Sequence, residues 1–131
     1  MELYELTILE AQRLLRQRGY RTALSGKWHL GYEPEYGPNR HGFDEFFGIL
    51  SGNVDYYSHQ ENTGEPDLYE NLTPVERPGY LTELIGERSA AFVERAARAP
   101  FFLYVAFNAV HWPFQAPGRP QDVRTKATWY D

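Results

Sequence analysis

The sequence predicts an α/β protein with a mostly parallel sheet flanked by helices. Twice along the 131 residues, apolar residues at helical spacing are followed by a strand-like stretch and then by a loop with a basic or imidazole side chain. The second strand candidate, residues 101–107, is an unbroken apolar run, which is typical of a strand buried on both faces of a parallel sheet. Because two parallel strands are too few for a stable sheet, we expect an incomplete part of a larger domain.

The first helix and strand lie near the N-terminus. Thr7 and Glu10 match a capping box, and apolar residues follow at helical spacing, so a helix is predicted over residues 7–18. Gly19 supplies a left-handed stop, and residues 20–25 follow as a short strand.

The stretch between the two units, residues 31–80, is rich in Gly and Pro and is predicted to be largely irregular. Within it, residues 41–48 are a candidate helical turn, residues 55–59 a candidate strand or loop wall, and residues 61–79 a surface excursion. A second helix is predicted to begin at a cap formed by Thr82 and to run to about residue 98.

Composition and charge exclude several classes of protein. The formal net charge of −5 argues against a nucleic-acid binder held by phosphate contacts. The absence of cysteine excludes a disulfide framework, a thiolate metal site and a cysteine nucleophile in this chain. No stretch reaches the roughly 18 apolar residues that a bilayer span needs. The first residues lack the features of a signal peptide, so a secreted protein would need a signal upstream.

The loops that follow the two predicted strands could form one anion-binding pocket. Lys27 offers a point cation and His29 a directed donor, just beyond the carboxyl end of a strand, where ligands of open α/β sheets bind. His111 could add a third side from the neighbouring strand. Such a pocket, kept dry by aromatic residues such as Trp28 and Trp112, suits sulfate or phosphate. The pattern alone leaves open a solvated loop around Lys27 and a packed loop histidine at position 111.

Other sites are disfavoured by spacing. A nucleotide-binding P-loop needs four residues between its glycines, whereas six separate Gly19 from Gly26, and a tryptophan replaces the hydroxyl residue. The four histidines lack the spacing of zinc ligands. Asp44 and Glu45 are adjacent rather than facing, so they do not form a glycosidase pair.

Residues 19–31, GYRTALSGKWHLG, resemble the second signature of the formylglycine-dependent sulfatases. Further segments resemble the same family in the same order, nearest to types such as arylsulfatase B (N-acetylgalactosamine-4-sulfatase): residues 41–48, 55–59, 79–82 and 100–117. The resemblance implies that residues 1–131 are an internal fragment of a sulfatase catalytic domain. It implies part of an alkaline-phosphatase-like N-terminal domain, and an extracellular, periplasmic or lysosomal location.

The resemblance also implies the chemistry. In that family a cysteine or serine is converted to formylglycine, whose hydrated form attacks sulfur, while a calcium ion (Ca2+) held by Asp and Asn side chains polarises the sulfate. Carried over by position, Lys27 would contact the sulfate and the formylglycine. His29 would hold a formylglycine oxygen and assist sulfate release, and His111 would face the sulfate or the leaving oxygen. Trp112 would join Lys27 and His111 in binding a sulfate ester, with a sulfated carbohydrate as the expected substrate.

Several family features are missing from the sequence. It lacks the nucleophile motif Cys/Ser-x-Pro-x-Arg, the N-terminal aspartate pair that binds calcium, and the later Asp-Asn-Gly segment with the lysine downstream of it. We therefore expect the isolated chain not to hydrolyse sulfate esters, although a longer parent would. Two alternatives remain: a non-catalytic module that binds sulfated glycans, and a phosphodiesterase or phosphatase relative from the alkaline-phosphatase-like superfamily.

Overall fold

The computed structural model describes residues 8–130. The capping box predicted at Thr7 lies outside these residues. Two helices and five strands follow one another in the order α1 Ile8–Gln17, β1 Arg21–Lys27, β2 Glu45–Ile49, β3 Tyr69–Glu70, β4 Thr73–Pro74, α2 Leu81–Ala96 and β5 Phe101–Ala106. Short 3-10 helices cover Pro34–Tyr36, Pro38–His41 and Pro120–Asp122.

The strands form one mixed sheet in the order β4-β3-β2-β1-β5. Strand β1 is parallel to both of its neighbours, β2 and β5, whereas β3 and β4 add an antiparallel hairpin beside β2. The carboxyl ends of three parallel strands therefore meet at one edge of the sheet. The predicted α/β class with a mostly parallel sheet is confirmed.

The prediction of a helical turn over residues 41–48 is wrong. Gly42 ends a 3-10 helix in a left-handed conformation, and strand β2 begins three residues later. Phe46 packs with Leu24 on one face of the sheet, and Phe47 packs with Ile49 and Val54 on the other. Only an extended chain places consecutive aromatic side chains on opposite faces, so burial of both requires a strand.

Two boundaries and the burial of one strand also differ from the prediction. Strand β1 continues to Lys27 rather than ending at residue 25. Helix α2 begins at Leu81, and Tyr80 rather than Thr82 occupies the capping position, without a side-chain cap bond. Strand β5 is only half-buried, because among the described residues it pairs with β1 alone at the edge of the sheet.

The surface excursion predicted for residues 61–79 is interrupted by ordered structure. It contains strands β3 and β4, and its Asp67 and Leu68 are buried, each 2% exposed. Residues 55–59 form turns, which agrees with a loop wall rather than a strand.

The two helices cover opposite faces of the sheet. On one face, Phe92 and Ala96 of α2 pack against Ala23 of β1, and the Ser25 hydroxyl donates to the Ile85 carbonyl of α2 at 3.2 Å. On the other face, the Gln12 side chain of α1 donates to a carbonyl of the 3-10 helix Pro38–His41, at 3.0 Å. In the described part of the chain, neither helix is long and apolar enough to cross a membrane.

The three parallel strands approach one another most closely at a row of small residues. Gly26 lies between Gly48 of β2 and Ala106 of β5, one residue before β1 ends. A Cβ on Gly26 would overlap the Ala106 carbonyl oxygen, and a Cβ on Gly48 would overlap the Gly26 carbonyl oxygen. Both glycines have positive φ, at 125° and 155°. This row of small residues determines how closely the strand ends beside the candidate site approach one another.

We expect Gly26→Ala to lower the free energy of unfolding by at least about 2 kcal/mol, because the added methyl group must push β5 away and the backbone conformation disfavours a side chain. Urea unfolding measures the loss. Gly86→Ala in α2 is the matched control: its Cβ would have no neighbour within 4 Å, so we expect no loss, or a gain of about 0.5–1 kcal/mol from helix propensity. Equal effects of the two substitutions would contradict the steric account.

A second prediction concerns His59, which is 5% exposed and whose Nε2 lies 3.2 Å from the Gly79 carbonyl. Burial lowers the pKa of His59, and the Gly79 carbonyl and the Asp55 charge only partly oppose it. The unfolded chain therefore binds this proton more readily, so stability is full above about pH 6.5 and falls as the pH drops below it. Urea unfolding between pH 5 and pH 7.5 should show this decline.

His59→Asn should flatten this pH dependence, because asparagine does not titrate and tolerates the positive φ of 55° at this position. Part of the slope should remain, since burial and the Arg13 charge also lower the pKa of His41. Identical slopes for both proteins would show that His59 is not the titrating group.

Candidate active site

Lys27 lies at the carboxyl edge of the sheet, as the last residue of β1. It is half-buried and is paired with Ile49 of β2. The pairing continues past the end of the strand, because the backbone N–H groups of Trp28 and His29 donate to the carbonyls of Ile49 and Leu50 at 2.9 and 3.0 Å. The predicted loop is therefore fixed to β2 residue by residue.

Trp28 anchors this loop in the core. Its side chain is 6% exposed, and its indole N–H donates to the Tyr36 carbonyl at 2.8 Å. The ring meets Phe43 edge-on at 6.3 Å and lies 5.6 Å from the ring of His41. A buried indole whose only polar atom is satisfied holds Lys27 and His29, on either side of it, in place.

His29 adopts a left-handed backbone conformation with φ at 60° and exposes its side chain. Such a conformation is uncommon for residues other than glycine and is often found where function constrains the chain. The tip of the imidazole rests on Gly52, since a Cβ there would lie 2.8 Å from both Cε1 and Nε2 of His29.

His111 is exposed on the loop that follows β5. Its Nδ1 lies 3.0 Å from the Trp112 carbonyl oxygen. A carbonyl oxygen only accepts, so Nδ1 carries the proton and Nε2 is the ring nitrogen left for another partner. The ring is therefore oriented by the residue that follows it.

The His111 backbone is held by a buried tyrosine. The Tyr56 hydroxyl donates to the His111 carbonyl and accepts from the His111 N–H, both at 3.1 Å. Tyr56 is 2% exposed and stacks on Tyr80 with ring centroids 5.3 Å apart. Burial raises the pKa of Tyr56, so the phenol stays protonated and serves as donor and acceptor at once.

Trp112 is half-buried, and its side chain faces the C-terminal part of the described chain. The indole N–H donates to the Trp129 carbonyl at 3.0 Å, Phe114 packs edge-on at 5.4 Å, and the Arg124 guanidinium lies 5.8 Å from the ring centroid. Its carbonyl oxygen contacts His111. A role of the Trp112 indole in binding substrate stays a prediction.

A short segment after β2 joins the two histidine loops. Gly52 lies beneath His29, and the side-chain N–H of the adjacent Asn53 donates to the Trp112 carbonyl at 2.9 Å. The His29 ring thus contacts Gly52, and the loop that carries His111 contacts the adjacent Asn53. Two adjacent residues therefore contact the two histidine loops, and a pocket shared by Lys27, His29 and His111 stays a prediction.

Asp67 fixes the start of this segment. Its buried carboxylate accepts the backbone N–H groups of Leu50 at 2.9 Å and Ser51 at 2.8 Å. Burial and the charge of Asp67 raise the pKa of nearby Glu61. No sequence pattern indicated Gly52, Asn53 or Asp67 as site residues, although recognition of β2 would have drawn attention to Gly52 and Asn53, which follow that strand.

The described residues contain no group of three or more His, Cys, Asp or Glu side chains arranged to hold a metal ion. The buried carboxylate of Asp55 is occupied by protein donors: the N–H groups of Tyr57, Ser58 and Arg124 and the Gln115 amide. Residues 8–130 therefore do not fit the calcium site implied by the sulfatase resemblance, and no step is assigned to a metal in this part of the chain.

A mixed sheet covered by helices, with a lysine at the end of β1 and a histidine on each of the loops after β1 and β5, defines an α/β domain whose candidate site lies at the carboxyl edge of the sheet. The Sulfatase family model matches residues 12–129. The chain belongs to the sulfatase family.

Named relatives agree with this family. Arylsulfatase J of Mus musculus is 41% identical over 80% of this chain and 19% of its own length. Arylsulfatase G of Homo sapiens is 35% identical over 92% of this chain and 29% of its own length. N-acetylgalactosamine-6-sulfatase of Mus musculus is 35% identical over 79% and 22%. The chain thus spans less than a third of each of these relatives. The arylsulfatase B subtype stays a prediction.

Solved structures show the same fold. Ps i-CgsB superposes with a TM-score of 0.71 and 34% identity, over 82% of this chain and 28% of its own. A second crystal structure contains that protein in complex with k-i-k-neocarrahexaose, with a TM-score of 0.69, 35% identity, and coverage of 80% and 27%. BT4656, in complex with its substrate D-glucosamine-2-N,6-O-disulfate, has a TM-score of 0.61, 35% identity, and coverage of 82% and 20%.

The tyrosine that holds the His111 loop generates a prediction. Tyr56→Phe should lower the free energy of unfolding by about 1–3 kcal/mol, because it leaves a part-buried N–H and carbonyl without their partner. Tyr57→Phe is the matched control: its hydroxyl makes the same pair of bonds, to the Ala116 carbonyl and the Arg119 N–H, where solvent can replace them. Urea unfolding compares the two variants, and an equal or larger loss in Tyr57→Phe would contradict the assigned role of Tyr56.

Proposed function

We propose that this chain supplies one wall of the sulfate pocket of a sulfuric ester hydrolase. The observation that carries the proposal is the convergence of the β1 and β5 loops on Gly52 and Asn53, beside the end of β1. This arrangement presents a cation and two imidazoles from one rigid edge. Membership of the sulfatase family makes a sulfate ester the fitting ligand.

The chemistry follows from the charges. Hydrolysis of a sulfate ester concentrates negative charge on the sulfate oxygens and on the departing alcohol oxygen, and fixed donors lower the barrier most when aimed at those atoms. Lys27 supplies a positive charge next to the sulfate oxygens. The Nδ1–H of His111 is committed to the Trp112 carbonyl, so Nε2 is the nitrogen that can take up a proton from solvent and, from the resulting imidazolium, pass it to the sulfate or to the leaving oxygen. His29 supplies the second imidazole of the proposed pocket, from the loop after β1.

The proposed substrate is a sulfated carbohydrate. BT4656 and Ps i-CgsB have been crystallised with a sulfated glucosamine and a neocarrahexaose, at about one-third sequence identity to this chain. The nucleophile motif and the calcium-binding segments are absent from the 131 residues. We therefore propose that the chain by itself does not turn over sulfate esters and that formylglycine and calcium belong to other segments of a complete enzyme.

A chimera tests the site. The nucleophile and calcium-binding segments of a relative are joined to this chain, and turnover of a chromogenic aryl sulfate is measured. Lys27→Ala, His29→Ala and His111→Ala should each lower kcat/KM by about 100- to 1,000-fold, as expected for loss of one transition-state donor or proton carrier. Lys126→Ala, which removes an exposed lysine far along the chain, should leave kcat/KM unchanged.

Unchanged turnover in all three site variants would refute the assignment. Turnover of aryl sulfate by the 131-residue chain alone would contradict the proposed dependence on other segments. An inactive chimera whose chain still binds a sulfated disaccharide, with binding lost in Lys27→Ala, would favour the non-catalytic binding module.

A further inference from the structure

The loop after β2 contacts both histidine loops, although it carries no group suited to catalysis. Its first residues are fixed by the buried Asp67 carboxylate, which accepts from the N–H groups of Leu50 and Ser51. The Ser51 hydroxyl then donates to the Asn53 carbonyl at 3.1 Å and closes a tight turn. Gly52 and Asn53 are therefore held rigidly before they meet any other loop.

We propose that Gly52 and Asn53 form a positioning element, the Gly52–Asn53 segment, which sets the orientation of the His29 and His111 imidazoles by two separate contacts. The proposal deepens the proposed function and rests on it only for its consequence in catalysis. The two contacts themselves are properties of this chain and are tested independently.

The contact with His29 is steric. The imidazole tip occupies the space that any side chain at position 52 would fill, since an added Cβ would lie 2.8 Å from Cε1 and Nε2 and 3.4 Å from Cδ2. Separations below about 3 Å do not occur between such atoms without displacement. Because Trp28 and the β2 pairing hold the His29 backbone, the ring itself would have to rotate away.

The contact with His111 is a shared acceptor. The Trp112 carbonyl oxygen receives the Asn53 side-chain N–H at 2.9 Å and the His111 Nδ1–H at 3.0 Å. A carbonyl oxygen has two lone pairs, so both bonds can form together. Asn53 thereby fixes the oxygen that selects the Nδ1-protonated form of His111, and with it the nitrogen that faces outward.

A pair of substitutions separates the two contacts. In the 131-residue chain, Gly52→Ala should shift the ring resonances of His29 in heteronuclear NMR spectra and leave those of His111 in place. Asn53→Asp keeps the shape of the side chain and removes its donor. The His111 ring should change from the Nδ1-protonated tautomer to a mixture of the Nδ1- and Nε2-protonated tautomers, as read from the chemical shifts of the ring nitrogens. The ring resonances of His29 should not change.

A second measurement tests the contact between Gly52 and His29 through the stability of the folded chain. Gly52→Ala should lower the urea midpoint, whereas His29→Asn/Gly52→Ala should have the same midpoint as His29→Asn. Asparagine tolerates the positive φ of His29 and lacks the ring atoms that the new methyl group would meet. Gly86→Ala serves again as the control without neighbours.

In the active chimera, Gly52→Ala and Asn53→Asp should each lower kcat by about 100-fold with little change in KM, since misplacement of a reacting group by about 1 Å has effects of this size. Two results would refute the first contact. One is that the ring resonances of His29 do not shift in Gly52→Ala. The other is that Gly52→Ala lowers the urea midpoint as much in the His29→Asn variant as in the unsubstituted chain. An unchanged His111 ring in Asn53→Asp would overturn the second. If both contacts behave as expected but neither substitution changes turnover while His29→Ala and His111→Ala do, the proposed function stands and the consequence of ring positioning for catalysis is refuted. If those alanine variants also leave turnover unchanged, the proposed function fails and the two contacts stand.

Discussion

The close backbone approach of three parallel strands at Gly26 is the constraint on which the rest of the structure depends. Any side chain there, or at Gly48, would overlap a carbonyl oxygen of the neighbouring strand. Because the approach occurs one residue before β1 ends, the loops after β1, β2 and β5 leave the sheet side by side. Lys27 ends β1, the two histidines are carried on the loops after β1 and β5, and the loop after β2 contacts both of these loops.

The sequence predicted those parts of the molecule whose physics is local. Helical spacing, a glycine stop and an apolar run correctly indicated two helix–strand units. The placement of Lys27 and His29 at the carboxyl end of a strand followed from the general position of ligands in such sheets, although the strand itself includes Lys27. Strand β2 was missed because both faces of the sheet are buried there. Its consecutive aromatic residues, Phe46 and Phe47, therefore show no apolar–polar alternation in the sequence. The half-buried state of β5 was missed because strand order is not written in a single apolar run.

The supporting residues of the site could not be predicted for a different reason. Asp67 acts on backbone N–H groups 16 and 17 positions earlier, and Asn53 acts on a carbonyl 59 positions later. Both contacts use main-chain atoms that every residue possesses, so no pairing of side-chain types reveals them. Gly52 contributes through the absence of a side chain, and this role can be recognised only in the folded structure, where the His29 ring occupies the space that a side chain would fill.

Each loop at the carboxyl edge has its own buried anchor, and this separation has a consequence for chemistry. Trp28 fixes the β1 loop through the Tyr36 carbonyl, Asp67 fixes the β2 loop, and Tyr56 fixes the β5 loop. A wall that is ordered before ligand arrives loses little further entropy on binding, and its donors need no reorientation as charge develops. A substrate-shaped loop could therefore change without disturbing Lys27 or the imidazoles. Under the proposed function, this arrangement favours a sulfate pocket of fixed geometry beside sugar contacts that vary.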